Sequence, residues 1–362
     1  MMLTKIKQFM KKYWIFILLA ALATGLFLLR LIQSGQPPVP SPAQPTPTTQ
    51  PLLTQPKING VLIPVDAKLI FTDFSFPPQL KTYLGQESRL SESQAKKIAQ
   101  KLKFSQSPQE SKDVFLGDFY TWSSKTHFLS IALNSNLIKY GLDLYQAQAP
   151  KGGLLPSPEE ARKTLEDFLA NLELSSQLEP KWQKEEYLVQ GFYLLPTNTP
   201  QEADFIRVGF NLAIGQHQLV SSDPNEPLVY LILSKGGEII RFQSQIYYSS
   251  FEGQETHNLK DLKEVQSTLT TEGKIVYAGT HLETFKELKL TQAEFSQITL
   301  AYYQDPNKNP ILQPIYILSG QGTLENGEKT EIIAYLPAIK FGTQNQENLE
   351  VPREFFQLPE LP

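Results

Sequence analysis

The chain has 362 residues, no cysteine, and 33 lysines and arginines against 37 aspartates and glutamates, for a formal net charge of −4. The missing cysteines exclude a disulfide framework, a thiolate metal centre and a lipid-modified cysteine. Residues 1–34 hold five basic and no acidic side chains, which leaves 28 basic against 37 acidic groups for the rest. Such an acidic balance argues against a nucleic-acid-binding face and against a domain lying on anionic lipid.

Residues 1–12 form a basic tail containing Lys5, Lys7, Lys11 and Lys12. Residues 13–32, YWIFILLAALATGLFLLRLI, are almost unbroken apolar sequence. A helix of that length spans roughly the 30 Å hydrocarbon core of a bilayer. The expectation is an N-terminal transmembrane helix with its lysine flank in the cytoplasm and everything after it outside. Membrane lipid is then the first expected partner. Tyr13 and Trp14 sit where an interfacial aromatic belt belongs, and Arg30 can snorkel at the outer end. Ala21-Leu22-Ala23 also fits a signal-peptide cleavage site, but the apolar run continues through Leu29 and favours a retained anchor. Residues 33–57 read as a proline-rich linker. The eight prolines between Gly35 and Lys57 favour polyproline II, a spacer reaching up to roughly 70 Å.

The exported part reads as three α+β units: 58–150, 151–257 and 258–343. In the first, an apolar lead-in (58–76) precedes Ser91, an N-cap with Gln94 completing a capping-box pattern. Ala95, Ile98, Ala99 and Leu102 share one apolar helix face. Strands are expected over 114–122 and 127–145, turning at Asn134-Ser135-Asn136. In the second, Ser157-Pro158-Glu159-Glu160 starts a helix with Ala161, Leu165, Phe168, Leu169 and Leu172 inward. Strands fill 187–248, broken at Pro196, at Asp223-Pro224-Asn225 and at Lys235-Gly236-Gly237-Glu238. In the third, a helix over 258–271 turns Leu259, Leu262, Val265 and Leu269 inward. Strands follow at 274–278, 298–303, 311–319 and 330–337, with Asn326-Gly327 turning the last hairpin. Residues 344–362 form a polar, proline-containing tail. The fold class expected is α+β: a transmembrane helix, then tandem helix-plus-antiparallel-sheet units.

Helices of the form S-x-x-x-A-x-x-x-A followed by antiparallel strands resemble the PepSY domain, which exported bacterial proteins often carry in tandem. Ser91, Ala95 and Ala99 match this pattern, and Ser157 and Ala161 match it more loosely. The C-terminal stretch LAYYQDPNKNPILQPIYILSGQG with EIIAYLPAI resembles the closing module of membrane-anchored regulators of the YycH/YycI type. The matching positions are Leu300, Tyr302, Tyr303, Gln313, Pro314, Tyr316, Gly320, Ala334, Tyr335, Pro337 and Ala338. The resemblance implies a basic N-terminus, one membrane helix and action by contact with a sensor histidine kinase rather than by catalysis. The long proline linker and the extended middle unit depart from that pattern. Read from the residues alone, the same positions are core side chains alternating along strands.

His127, His217, His257 and His281 are scattered singly, without the spacing of a zinc site. There is no G-x-S-x-G elbow, P-loop, G-x-G-x-x-G or aspartic-protease motif. Asp305, Asn307 and Asn309 have the alternate spacing of a calcium loop. Pro310 replaces its glycine, however, and Tyr316 its bidentate glutamate. No catalytic, cofactor-binding or metal-ligating residue is therefore expected. The function expected is a non-enzymatic envelope protein that binds or regulates another envelope protein: a sensor kinase, a protease or a wall enzyme. Alternatives are an envelope hydrolase with an unrecognised site and a spacer that binds polysaccharide.

Overall fold

The three helices begin where the capping residues place them. In the computed structural model, Ser91, Ser157 and Asp261 each accept from the backbone N–H three residues on, and Gln94, Glu160 and Glu264 answer reciprocally. The structure describes residues 53–341, apart from 72–73, 114–116, 144–151, 175–178, 192–193, 280–289 and 306–308. The expected anchor with Tyr13, Trp14 and Arg30, most of the linker, the tail, His281 and Asn307 lie outside those residues. Among the described residues, no helix is long and apolar enough to cross a membrane. The described part is a mixed, mostly antiparallel β architecture of nineteen strands with three α-helices.

After α1 (Glu92–Lys101) come β4 (Gln109–Asp113), β5 (Gly117–Ser123), β6 (His127–Ala132) and β7 (Leu137–Leu142), a plain antiparallel meander. After α2 (Pro158–Leu172) come β8 (Pro180–Trp182), β9 (Glu186–Gln190), β10 (Leu194–Thr197), β11 (Phe205–Ile214), β12 (His217–Val220), β13 (Val229–Ser234) and β14 (Ile239–Gln245). Within this group β9, β11, β13 and β14 repeat the meander order. The two groups join last strand to last strand, β7 antiparallel to β14, into one sheet. Both helices lie on the same face of it. Ala95, Ile98 and Ala99 of α1 and Ala161, Leu165 and Leu169 of α2 share a core with Trp122, Leu129, Ile138, Val208, Leu231 and Phe242.

The third group follows β15 (Tyr248–Asn258) and α3 (Leu262–Glu272). Its strands are β16 (Lys274–Ala278), β17 (Leu290–Tyr303), β18 (Ile311–Leu324) and β19 (Lys329–Pro337). Here the sheet order is β17-β18-β19-β16. The lead-in closes both sides. β1 (Val61–Leu62) pairs with β16, while β2 (Asp66–Leu69) and β12 run parallel to β17. β3 (Gln79–Glu87) pairs with β15 and with the start of β18. Hydrogen bonds thus cross both the 150/151 and the 257/258 boundaries.

Several local expectations need correction. Pro196 does not interrupt the sheet. It sits in β10, which pairs with β9 on one side only, where a missing N–H is tolerated. α3 starts at Leu262, because Asn258 ends β15 and Leu259 bridges to Ile339. β17 starts eight residues before Ile298 and β18 runs to Leu324. The turn expected at Asn134-Ser135-Asn136 is present between β6 and β7, as a short 3-10 turn over Leu133–Ser135 with Asn136 at a left-handed φ of 49°. The last residues of the expected linker are docked, since Thr54 and Lys57 accept hydrogen bonds from the third group.

Candidate functional site

The family-like positions gather in the third sheet and are almost all buried. Leu300, Tyr302, Tyr303, Gln313, Tyr316, Ala334, Tyr335 and Ala338 are at most 8 % exposed, and Pro314 and Pro337 are also buried. Gly320 is half-buried, and it faces the bulge in β17 between Phe295 and Gln297. A Cβ there would collide with the Glu294 carbonyl oxygen, so the two backbones approach closely because this residue is glycine.

Every tyrosine of this set reaches out of its own sheet. Tyr302 donates to the Lys81 carbonyl (2.8 Å), Tyr303 to Lys57 (3.3 Å), Tyr316 to Lys260 (2.8 Å) and Tyr335 to Ser221 (3.1 Å). Gln313 Nε2 donates to Thr54 (2.6 Å). Burial pushes all four phenols up, and those of Tyr303 and Tyr335 feel Asp305 and Asp223 as well. Lys260 completes the arrangement, its Nζ bonded to Glu272 (2.6 Å) and to the Pro337 carbonyl (2.7 Å), with burial lowering its pKa. These groups fasten the lead-in, the middle of the chain and the cap of α3 to the last hairpin. Their geometry is that of a clasp, each bond joining two distant stretches of the chain.

A different place is concave. Three adjoining cavities of about 510, 550 and 700 Å³ share Glu186, Pro196 and Arg207. The first two lie on the face of the first sheet opposite the helices, beside the β9–β10 hairpin, the first reaching the turn at Asp223-Pro224-Asn225, and the third runs on to Tyr277, Gln297, Gly320 and Ile333 of the third sheet. The strand register explains the lining. Glu186 on β9 stands beside Arg207 on β11, then Ile232 on β13, Arg241 on β14, Gly141 on β7 and Phe128 on β6. One row of positions thus crosses six strands, with Gly141 leaving a gap between Arg241 and Phe128.

Its charges are mostly committed. Arg207 pairs with Glu186, donates to the Asn225 carbonyl (3.1 Å) and places its guanidinium carbon 5.8 Å from the Tyr230 ring centroid. Tyr230 donates to Glu226 (2.8 Å), and burial with the Glu226 charge pushes its phenol up. Burial also raises the Asp223 carboxyl. Tyr277, on the wall contributed by the third sheet, is raised by burial first and then by Glu331, Glu186 and Asp223. Leu142, Leu188, Phe205, Tyr230, Ile232 and Ile240 form a small apolar cluster beneath the row.

Among the described residues, no histidine lines these cavities. His127 stacks on Tyr140 at 5.8 Å, His217 packs edge-on to Tyr302 at 6.1 Å with burial lowering its pKa, and His257 faces Leu80 across β15 and β3. Among the described residues, no group of three or more acidic or histidine side chains is placed to hold a metal. The arrangement suits binding: an apolar floor, fixed ion pairs and a rim of both signs. Sequence reading missed the row, because Arg207, Ile232 and Arg241 become neighbours only through strand register. No protein-family model matches the chain, and no curated protein matches it significantly in sequence.

Proposed function

We propose that the chain is a non-enzymatic, single-pass envelope protein whose exported, PepSY-like α+β units bind and regulate another envelope protein. The membrane helix of residues 13–32 holds it with its N-terminus in the cytoplasm, and its partner is a sensor kinase, a protease or a wall enzyme. One observation carries the reading: the helix-then-meander plan occurs twice in one sheet, with both helices on one face and a lined concavity on the other. A scaffold of that kind presents a surface, and its charged lining is held by internal pairs rather than arranged as nucleophile and base.

In-cell photo-crosslinking tests this, with the probe at Phe16 or Leu22 in the apolar segment and separately at Glu325 or Lys329 in the last hairpin. Enrichment of one such envelope protein over an anchor-only control is the expected result. Recovery of bulk envelope proteins alone at every position would overturn it.

A further inference from the structure

We infer that the groove over Leu142, Leu188, Tyr230 and Ile232 receives an extended, acid-bearing peptide segment of the partner protein, with Arg241 as the receptor for its carboxylate. This rests on the reading above that the partner is a protein.

The argument is one of charge left over after internal pairing. Arg207 is neutralised by Glu186 beside it, and Glu226 is held by the Tyr230 hydroxyl. Arg241 lines the same cavity, is exposed, and makes no ion pair with any described residue. A guanidinium presents a planar fork that fits a carboxylate bidentately. Beside it the floor is apolar and buried: Tyr230 and Ile232 are each 3 % exposed, and Leu188 is equally covered. Glu226 and Asp143 also line the cavity, so a polyanion is repelled, and a single carboxylate is taken only by direct contact with the Arg241 fork. An extended segment sends every second side chain to the same face, about 6.5 Å apart. The matching ligand therefore carries an acidic residue two positions from an apolar one. At about 550 Å³ the cavity is of a size that holds such a stretch.

The test is a random octapeptide display library panned against the full-length protein in detergent micelles, with Arg241→Glu as a parallel target. The expected outcome is enrichment of peptides with Asp or Glu two residues from an aliphatic or aromatic side chain. Their affinity should fall about tenfold or more in Arg241→Gln and with rising salt. Lys139→Gln, an exposed change on the neighbouring strand outside the cavity, should leave it unchanged. Melting temperatures of the variants, expected to equal the parent's, exclude unfolding as the cause. No enrichment, enriched peptides without a fixed acidic position, or an acid preference that survives Arg241→Gln would each overturn the inference. A partner still cross-linked from Phe16 or Glu325 while acid selectivity is absent sinks the groove alone. An acid-selective groove without any such cross-link sinks the regulator alone.

Discussion

The first two helix-and-meander groups and the third share a chain plan, a helix followed by four principal strands, yet their sheets are ordered differently. In the first two the strands lie in chain order. In the third the first strand, β16, has moved beside the last, β19. The difference follows from what covers an edge. β7 and β14 are last strands of neighbouring groups and satisfy each other's backbone. The third group has no such neighbour, so β19 takes β16, and the lead-in closes both outer sides. Unpaired edges are a liability that proteins cover where they can. Pairing between groups leaves one face of the first sheet free to hold a cavity. Closure within the group leaves one half of the third sheet covered on both faces, with Leu312–Leu318 buried without interruption in β18, while its other half lines the largest of the three cavities described above.

Raising the pH should break this contrast most completely. Tyr302, Tyr303, Tyr316 and Tyr335 have folded-state pKa values raised above the usual value near 10. Their contribution is fully present below pH 10 and is lost as pH rises from there toward the folded values. The lowered pKa values of Lys260 and Lys274 act in the opposite sense over the range just below 10.5, but they are two against many phenols. Alkaline unfolding that begins near pH 10, followed by circular dichroism together with phenolate absorbance, is the expected outcome. Phenolate appearing well before structure is lost would contradict the clasp.

Next in size is a pair of core truncations. Leu165→Ala in α2 and Leu269→Ala in α3 each remove a fully buried side chain, one from each sheet, at about 2–5 kcal/mol. Calorimetry should show one transition lowered by either change, since β12 pairs with both β11 and β17 and the core under the first sheet runs on to Tyr302 and Leu312. Two separating transitions would show that the comparison is between independent domains.

Smaller effects sharpen the third group. Gly320→Ala should cost about 1–3 kcal/mol, because the added methyl meets backbone at the β17 bulge rather than a side chain that can swing away. Tyr316→Phe leaves the Lys260 carbonyl without its donor and should cost about 1 kcal/mol in denaturant unfolding at pH 7. No measurable loss would mean that the hydroxyl contributes nothing to the fastening of α3.

Much of this architecture can be read from the chain because burial and capping leave local marks. The caps at Ser91 and Ser157, the Gly236-Gly237 and Asn326-Gly327 turns and the apolar strands of the last hairpin all identify themselves, whereas the Asp261 cap does not and the third helix is read from Asn258. The strands that escape notice are solvated. β4, QESKD, has no buried residue, and most of β15 is exposed, so neither shows an alternation. The early part of β17 escapes for a related reason, because its buried Ala293 and Phe295 are separated by polar residues that read as a loop. The motif residues were recognisable individually as core, but their hydroxyl partners were not, since Tyr302 and Lys81 are 221 positions apart. The cavity was the least legible of all, being assembled from residues of six strands with no common spacing.

The docked lead-in also has a mechanical consequence. Thr54 and Lys57 are held by Gln313 and Tyr303, while β1 and β2 are sewn to β16 and β17. Any tension applied to the chain ahead of Thr54 is therefore delivered to the third sheet first. It reaches the arginine-lined cavity only after those fastenings have yielded. The third sheet is thus the shock absorber for a pull that enters ahead of Thr54.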